Sequence, residues 1–448
     1  MDRGYRGQFG SKVGAVLVAA GSSVGLGNIW RFPYVMGENG GAAFLLIYIA
    51  CILFIGLPIM LGEFSIGRFT GKNSVGAYRA LDRKWTALGY CGMLASFFIM
   101  GFYFVVASWT ADYLVASVSG ELASKSTAAE YQDLFHNFVQ SPWKLIGYTW
   151  LFIAVTHVVV HMGVNQGIER ISKILMPILF IILIVLGVKS ITMDGSSEGL
   201  EFMFKPDFSK ITPTVVIQAL GQAFFSLSIA SGCLITYASY FNDKTDLRAT
   251  AVQVTILDTL VALLSGIIIF PACFSVGVTP GVGGELVFVT LPGIFNQMAG
   301  GVFWSTAFFL LLVIAALTST IAQHEVVTSY FIDEWKISRP KASVITTILA
   351  GLLSSVAALS LSIWSGYTLF DMTLFDIFDK FTANILLPLG GFFTTIYVGW
   401  KMDKALFVGQ LTNYGTLKTT LVSSVIFLLK YICPVMMLII FLDNIGAF

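Results

Sequence analysis

Long apolar runs separated by short polar clusters divide the chain. A helix that crosses a bilayer needs about 20 apolar residues. Eleven runs reach that length, at about 13–37, 42–68, 88–118, 143–161, 168–188, 213–240, 248–276, 301–331, 342–362, 376–400 and 417–442. Residues 281–297 (GVGGELVFVTLPGIFNQ) are apolar but short, with Gly and Pro at both ends, and predict an interfacial or re-entrant hairpin. The expected fold class is an all-α polytopic membrane protein of eleven spans.

Two runs carry small and polar residues at mid-depth. Span 1 reads AAGSSVGLGNIWRFP over residues 19–33, with Gly21, Gly25 and Gly27 ahead of Pro33. Glycine weakens a helix by about 1 kcal/mol per residue. Span 6 reads GQAFFSLSIASG over residues 221–232, with Ser226, Ser228, Ser231 and Gly232. Broken backbone survives in lipid only where it is buried or lines a cavity. Two interrupted spans five apart predict two five-helix repeats with a binding site between them. Close helix packing also uses small residues. It accounts for single glycines better than for their company with Asn28, Asp258 and the Thr318-Ser319-Thr320 triplet.

Glu63 in span 2, Asp258 in span 7, and Gln323 and Glu325 in span 8 add polar groups where burial is costly and usually functional. Asn28, Ser226, Asp258 and unwound carbonyls are hard oxygen ligands suited to Na⁺. The N–H groups at the broken helix ends suit a carboxylate. These residues alone predict a cation-coupled carrier of a small anionic or zwitterionic solute.

Composition narrows the class further. Of 448 residues, 56% are hydrophobic and 11% charged, and mean hydropathy is +0.83. A soluble domain carries about 25% charged residues, so soluble and disordered classes are excluded. A net charge of +1 leaves no basic surface for nucleic acid. Cys51, Cys91, Cys233, Cys273 and Cys433 lie in apolar stretches with no CxxC pair, which reads as packing. His157 and His161 have i,i+4 spacing, but no carboxylate or Cys completes a zinc site, so they read as helix polar contacts. With no nucleophile–base pair or metal set, an enzyme is not expected.

Placing the N-terminus inside puts all 26 Lys and Arg in the cytoplasm except Arg31, Lys125, Lys144, Lys189, Lys205, Lys210, Lys380 and Lys430. That bias predicts a plasma (inner) membrane protein with its N-terminus in and C-terminus out. The segment after Lys12 reads as a full span, not a cleavable signal peptide.

At these residues the chain resembles the neurotransmitter:sodium symporter family, in its bacterial amino-acid branch with a leucine-transporter-like fold. The resemblance runs nearly end to end. It is carried by GSSVGLGNIWRFPYVMGENGGAAF (21–44), LPIMLGEFSIGR (57–68), FYFVVASW (102–109), GQAFFSLS (221–228), ITYASY (235–240), FVTLPGIF (288–295), ALTSTIA (316–322) and ILLPLGGF (385–392). It implies a five-plus-five inverted-repeat fold with helices 1 and 6 unwound, plus one extra helix. The expected organisation is a cytoplasmic segment 1–12, a first repeat 13–188, an extracellular loop 189–212, a second repeat 213–400, and a loop and span 11 over 401–448.

The resemblance also implies roles. The first of two sodium sites would use Ser23, Asn28, Ser226 and Asp258 with the substrate carboxylate. The second would use Gly21, Val24, Ala315, Thr318 and Ser319. Substrate would meet Ser22, Ser23, Leu26, Gly27, Ile99, Tyr103, Phe225, Ser226, Ser228, Ser231, Ser319 and Gln323, with Phe225 as a lid. Arg31 and Asp379 would close an outer gate, and Arg6 and Asp333 an inner gate beside Ser239 and Tyr240. Glu63 would brace the unwound segments. Each gate residue also has a plainer reading, as a headgroup anchor or a solvated chance pair.

Departures from the family pattern carry information. Ala262 replaces a serine that helps hold chloride in animal members, and Asp258 replaces the neighbouring Asn. A carboxylate beside Na⁺ supplies the charge chloride would bring, so no chloride requirement is expected. Tyr48, Gln222 and Ser226 remain where chloride contacts lie, so the expectation rests on Asp258 and Ala262. Gly25 stands where monoamine carriers place an aspartate, which favours amino acids. Ser231 and Gln323 replace the Phe and Ile of the family's leucine carrier, with Ile99, Met100 and Phe225 as an apolar wall. A roomier, more polar pocket follows, unless Gln323 only bonds neighbouring helices. Gly167 and Pro177 repeat a family spacing that permits unwinding at the start of span 5.

The function expected is sodium-coupled import of a neutral amino acid by alternating access, by a monomer or weak dimer in the lipid bilayer. Asp258 taking a proton on the return step is a further expectation. The alternatives are a proton-coupled permease of the same architecture, and a non-transporting sensor or channel.

Overall fold

The computed structural model describes residues 7–277, 286–417 and 421–447. Among them no strand forms, and Leu369 and Met372 share only an isolated bridge. Among the described residues nine helices are long and apolar enough to cross a membrane, or ten with Lys12–Ser23 and Gly27–Glu38, bent by 56°, taken as one span. Span 6 is divided more deeply, into Pro213–Ser226 and Cys233–Ala238, with residues 227–232 between them. Neither piece could cross alone.

The remaining spans follow the apolar runs closely. Span 2 is Ala42–Thr70, span 3 Arg83–Val118, span 4 Pro142–His161 and span 5 Val164–Ile191. Span 7 is Leu247–Ser275, span 8 Gly301–Glu334, span 9 Arg339–Ser360, span 10 Leu374–Lys401 and span 11 Val422–Asn444. The expected hairpin at 281–297 lies partly outside the described residues. Its described part, Leu286–Gln297, is an apolar helix too short to span.

Local chemistry sets the helix ends. Ser11 Oγ accepts from the Gly14 N–H at 2.9 Å and starts span 1. Thr212 and Asp246 cap spans 6 and 7 in the same way, and Thr373 with Asp376 forms a reciprocal capping box before span 10. Pro142 and Pro213 sit in first turns, where the missing N–H has no helix partner to lose.

Burial sorts the spans into layers. The apolar window of span 3 is 67% buried, against 33% for span 5 and 28% for span 11. Span 3 therefore runs through the core, packed along span 8, while spans 5 and 11 turn large apolar side chains such as Ile181 and Val435 outward. Span 2 packs on Cys233–Ala238, and Gly67 makes that possible. A Cβ there would lie 2.1 Å from the Ile235 carbonyl oxygen. His157 Nδ1 pairs with Thr347 Oγ1 at 2.7 Å and His161 Nδ1 with Ser343 Oγ at 3.1 Å, so both tie span 4 to span 9.

Candidate substrate and cation site

The break in span 1 leaves backbone groups that neighbouring side chains satisfy. After Ser23 the chain turns extended at Val24 (ψ 111°) and resumes as a wide turn at Gly27–Arg31. The Gly25 N–H donates to Asn28 Oδ1 at 3.0 Å, and the Leu26 N–H donates to the Tyr103 hydroxyl at 3.2 Å. Gly25 has no room for a side chain. A Cβ would sit 2.5 Å from Ser319 Oγ and 3.1 Å from the Tyr103 hydroxyl.

The break in span 6 is more strained. Ser228 (φ 53°), Ala230 (φ 64°) and Gly232 (φ 78°) are left-handed, a conformation that costs a non-glycine residue roughly 1–2 kcal/mol. Three neighbours hold it. Glu63 Oε1 accepts from the Ala230 N–H at 2.7 Å, Ser96 Oγ donates to the Ser231 carbonyl at 2.6 Å, and Ser228 Oγ donates to the Ser22 carbonyl at 2.8 Å. In return, Ser23 Oγ donates to the Leu227 carbonyl at 3.3 Å. The two breaks thus bond each other.

Beside them lies a buried carboxylate with neutral partners. Asp258 and Asn28 are fully buried and Ser226 nearly so. Asn28 Nδ2 donates to Asp258 Oδ1 at 2.7 Å and Ser226 Oγ at 2.9 Å, while Ser226 Oγ donates to Asp258 Oδ2 at 2.7 Å. The Tyr48 hydroxyl reaches Ser226 Oγ at 3.3 Å. Among the described residues no Lys or Arg pairs with Asp258.

A second oxygen cluster joins spans 1 and 8. The Val24 carbonyl accepts from Thr318 Oγ1 at 3.4 Å and Ser319 Oγ at 3.3 Å, and Thr318 Oγ1 also donates to the Ala315 carbonyl at 3.0 Å. Gly21 lies against Thr318, whose Cβ would be 3.4 Å from a Cβ at position 21. The five positions expected of a second sodium site are therefore together.

Between these clusters is a cavity of about 60 Å³. Every expected substrate-contact position lines it except Leu26, which faces the larger space above. Sequence reasoning missed Phe102, Ile229 and Leu387, which also line it. Met100, expected in the apolar wall, is instead buried away from the cavity, with its carbonyl accepting from Ser354 Oγ of span 9 at 3.0 Å.

Above the cavity opens a vestibule of about 530 Å³, lined by Trp30, Trp109, Phe135, Phe288 and Phe375 among others. Phe225 lines both spaces. Arg31 lies over its ring at 5.0 Å and donates to Gln222 Oε1 at 3.1 Å, and Gln222 Nε2 donates to the Gly27 carbonyl at 3.1 Å. Arg31 and Asp379 face the same vestibule. They form no ion pair in this structure, so the outer gate expected of them is not closed here.

On the opposite face, Arg6 lies outside the described residues. Asp333 accepts from the Asn73 N–H at 2.7 Å and Asn73 Nδ2 at 3.0 Å. Ser239 Oγ donates within its own turn, to the Thr236 carbonyl at 2.5 Å. The Tyr240 hydroxyl donates to Glu325 Oε1 at 2.5 Å, and Arg339 grips both Glu325 oxygens at 2.6 and 2.8 Å. This buried pair was not foreseen, because Arg339 looked like one more interfacial cation.

The segment before span 1 also packs inward. Phe9 is buried against Tyr237, Tyr240 and Phe241, and its N–H donates to the Tyr240 carbonyl at 3.1 Å. Glu169, in the wide turn that opens span 5, accepts from the Gly10 N–H at 2.7 Å and Ser11 Oγ at 3.0 Å. Gly167 in that turn touches span 4 closely, and Pro177 lies inside a continuous helix.

Known proteins resemble the chain along nearly its whole length. The model of the Sodium:neurotransmitter symporter family matches residues 6–137 and 132–448. An uncharacterized sodium-dependent transporter of Haemophilus influenzae is 38% identical over 454 residues, covering 98% of each chain. One of Bacillus subtilis, YhdH, is 36% identical over 441 residues with the same coverage. The crystal structure of MhsT in complex with L-phenylalanine superimposes with a TM-score of 0.89 at 40% identity, covering 98% of this chain and 100% of that one.

Proposed function

The chain belongs to the sodium:neurotransmitter symporter family, and on that footing we propose that it imports a neutral amino acid with two Na⁺, without a chloride requirement. The family is one of transporters, so this multi-pass membrane protein is a carrier and not an enzyme.

The observation that carries the proposal is Asp258. A buried carboxylate is costly unless it is paired. Its partners Asn28 and Ser226 are neutral and bring further oxygens. At about 4 Å and an effective dielectric of 20, opposite unit charges attract by about 4 kcal/mol. A cation among these groups is thus favoured, and the anion that would otherwise balance it is dispensable. The Val24, Ala315, Thr318 and Ser319 oxygens suit a second Na⁺. The Leu26 N–H and Tyr103 hydroxyl, bonded to each other, suit a substrate carboxylate. The L-phenylalanine held by MhsT supports an amino-acid substrate.

In the proposed cycle, spans 1, 2, 6 and 7 rock against the rest and so alternate the access of this site. The N-terminus and inner gate face the cytoplasm, and Arg31 and Asp379 approach once substrate sits below Phe225. The working unit is a monomer or weak dimer. The deciding experiment is uptake of labelled amino acids into proteoliposomes of the purified protein. Inward Na⁺ gradients are expected to drive it, equally well with chloride or gluconate. Uptake driven by a proton gradient without Na⁺, or dependence on chloride, overturns the proposal in the corresponding part.

A further inference from the structure

Lys430 is a cation that neither the inside bias nor the transport site accounts for. It stands within span 11, with the apolar run LVSSVIFLL (421–429) before it and YICPVMMLIIFL (431–442) after it. Asp443 follows it by 13 residues (443 − 430) on the same span, about 20 Å of helix. The hydrocarbon core is about 30 Å thick. Both charges therefore cannot stand at headgroup level in an undeformed bilayer. Asp443 has only the chain end beyond it, whereas Lys430 has apolar helix on both sides.

Span 10 holds Lys430 in place. Gly399 lets the two spans touch, since a Cβ there would lie 2.8 Å from the Leu429 carbonyl oxygen and 2.9 Å from Lys430 Cα. Trp400 Nε1 donates to the Lys430 carbonyl at 2.9 Å. The Lys430 ammonium lies 4.2 Å from the centre of the Trp400 ring and 5.5 Å from that of Tyr431. Ring faces attract an ammonium but do not neutralise it. Among the described residues no carboxylate pairs with Lys430. Asp403, the carboxylate nearest Trp400 in sequence, caps the next helix through the Ala405 N–H at 2.8 Å. A charge at such depth without a counter-ion is costly. Trp400, Tyr431 and Phe427 are each about half exposed, so this groove opens to the surrounding lipid.

We propose that the groove between spans 10 and 11 binds the phosphodiester of an anionic phospholipid, held by Lys430 with Trp400 and Tyr431 against its glycerol and upper acyl chains. The lipid supplies the anion that the protein does not, and it reaches Lys430 from the side on which the groove is open. A zwitterionic lipid has the same phosphate but brings an ammonium of its own, for which the groove offers no carboxylate. Lys401 and Lys404, exposed on the adjoining loop, add a field of the sign that favours net negative charge. The inference rests on the chain spanning a membrane and not on what it carries.

The test is native mass spectrometry of the purified full-length protein, stripped of lipid in detergent and titrated with phosphatidylglycerol or phosphatidylcholine of the same acyl chains. The first phosphatidylglycerol is expected to bind at least about fivefold tighter, the worth of one lysine beside an anionic surface. Lys430→Met is expected to reduce that preference below about twofold, while Lys430→Arg keeps it. Lys430→Gln serves if Lys430→Met fails to fold. Equal binding of the two lipids by the unaltered protein overturns the inference. So does full preference in Lys430→Met, including preference lost only in Lys401→Met/Lys404→Met, which puts the anion on the loop. Displacement of the bound lipid by an equal concentration of glycerol 3-phosphate overturns the lipid as occupant in favour of a free phosphate.

Discussion

Asn28 donates its side-chain amide to Asp258 Oδ1 at 2.7 Å, joining span 1 to span 7 across 230 positions of sequence. The same Asn28 side chain accepts from the Gly25 N–H. One residue therefore both holds the unwound turn and touches the buried carboxylate. Asp258→Asn removes the charge while keeping the shape. Sodium affinity is expected to fall at least about tenfold, measured as the Na⁺ dependence of substrate binding. Chloride is expected to raise uptake in this variant and not in the unaltered protein.

Space, not charge, decides the next prediction. A methyl group at Gly25 would lie 2.5 Å from Ser319 Oγ and 3.1 Å from the Tyr103 hydroxyl. Gly25→Ala is expected to weaken substrate binding by more than about tenfold, because overpacking displaces groups at the costs seen in well-packed cores. Gly25 lies in the unwound break between Ser23 and Gly27, where Ala gains no helix propensity, so the same overpacking is also expected to cost about 1–3 kcal/mol of stability. Equilibrium binding and a melting curve in detergent separate the two effects.

The Glu325–Arg339 pair gives a prediction about stability. Glu325 is fully buried and Arg339 a fifth exposed. Removing one member of such a pair typically costs about 3–5 kcal/mol, whereas replacing both with apolar residues is often close to neutral. Glu325→Gln is expected to lower the melting temperature more than the double variant Glu325→Leu/Arg339→Leu. The double variant also removes the Glu325 acceptor of the Tyr240 hydroxyl, so recovery is expected to be partial.

The N-terminal segment offers a fourth test. A Cβ at Gly14 would meet Glu169 Oε1 at 2.0 Å. Gly14→Ala is therefore expected to push Glu169 from the Gly10 N–H and loosen residues 9–11. Hydrogen exchange should rise there and stay unchanged in span 3. Glu169→Gln, which keeps an acceptor but loses the ion pair with Lys173, is expected to do so more weakly.

The sequence made the spans legible because lipid demands long apolar runs, and both breaks because Gly and Ser interrupt them at mid-depth. It could not show how far apart residues stand. Arg31 and Asp379 have the right charges for a gate, but only the structure shows that they share a vestibule without pairing. Arg339 was hidden for a similar reason: nothing in its neighbourhood marks it as the partner of Glu325, fourteen residues earlier and on another helix. The aromatic vestibule was invisible because Trp30, Trp109 and Phe288 stand on separate elements whose placement the sequence does not give. Met100 was assigned to the wrong face because span 3 is buried on nearly all sides, which erases the periodicity that would orient it.

The exchange of bonds between the two breaks bears on how the molecule folds. Ser23 serves the Leu227 carbonyl and Ser228 serves the Ser22 carbonyl, so each half of the chain completes the break of the other. Neither bend has its full set of bonds until both halves are made. The cavity is therefore absent from any partly assembled intermediate and comes into being only when the late-made helices dock on the early ones. Ligand binding consequently reports completed assembly, and a misdocked chain is expected to be silent rather than weakly active.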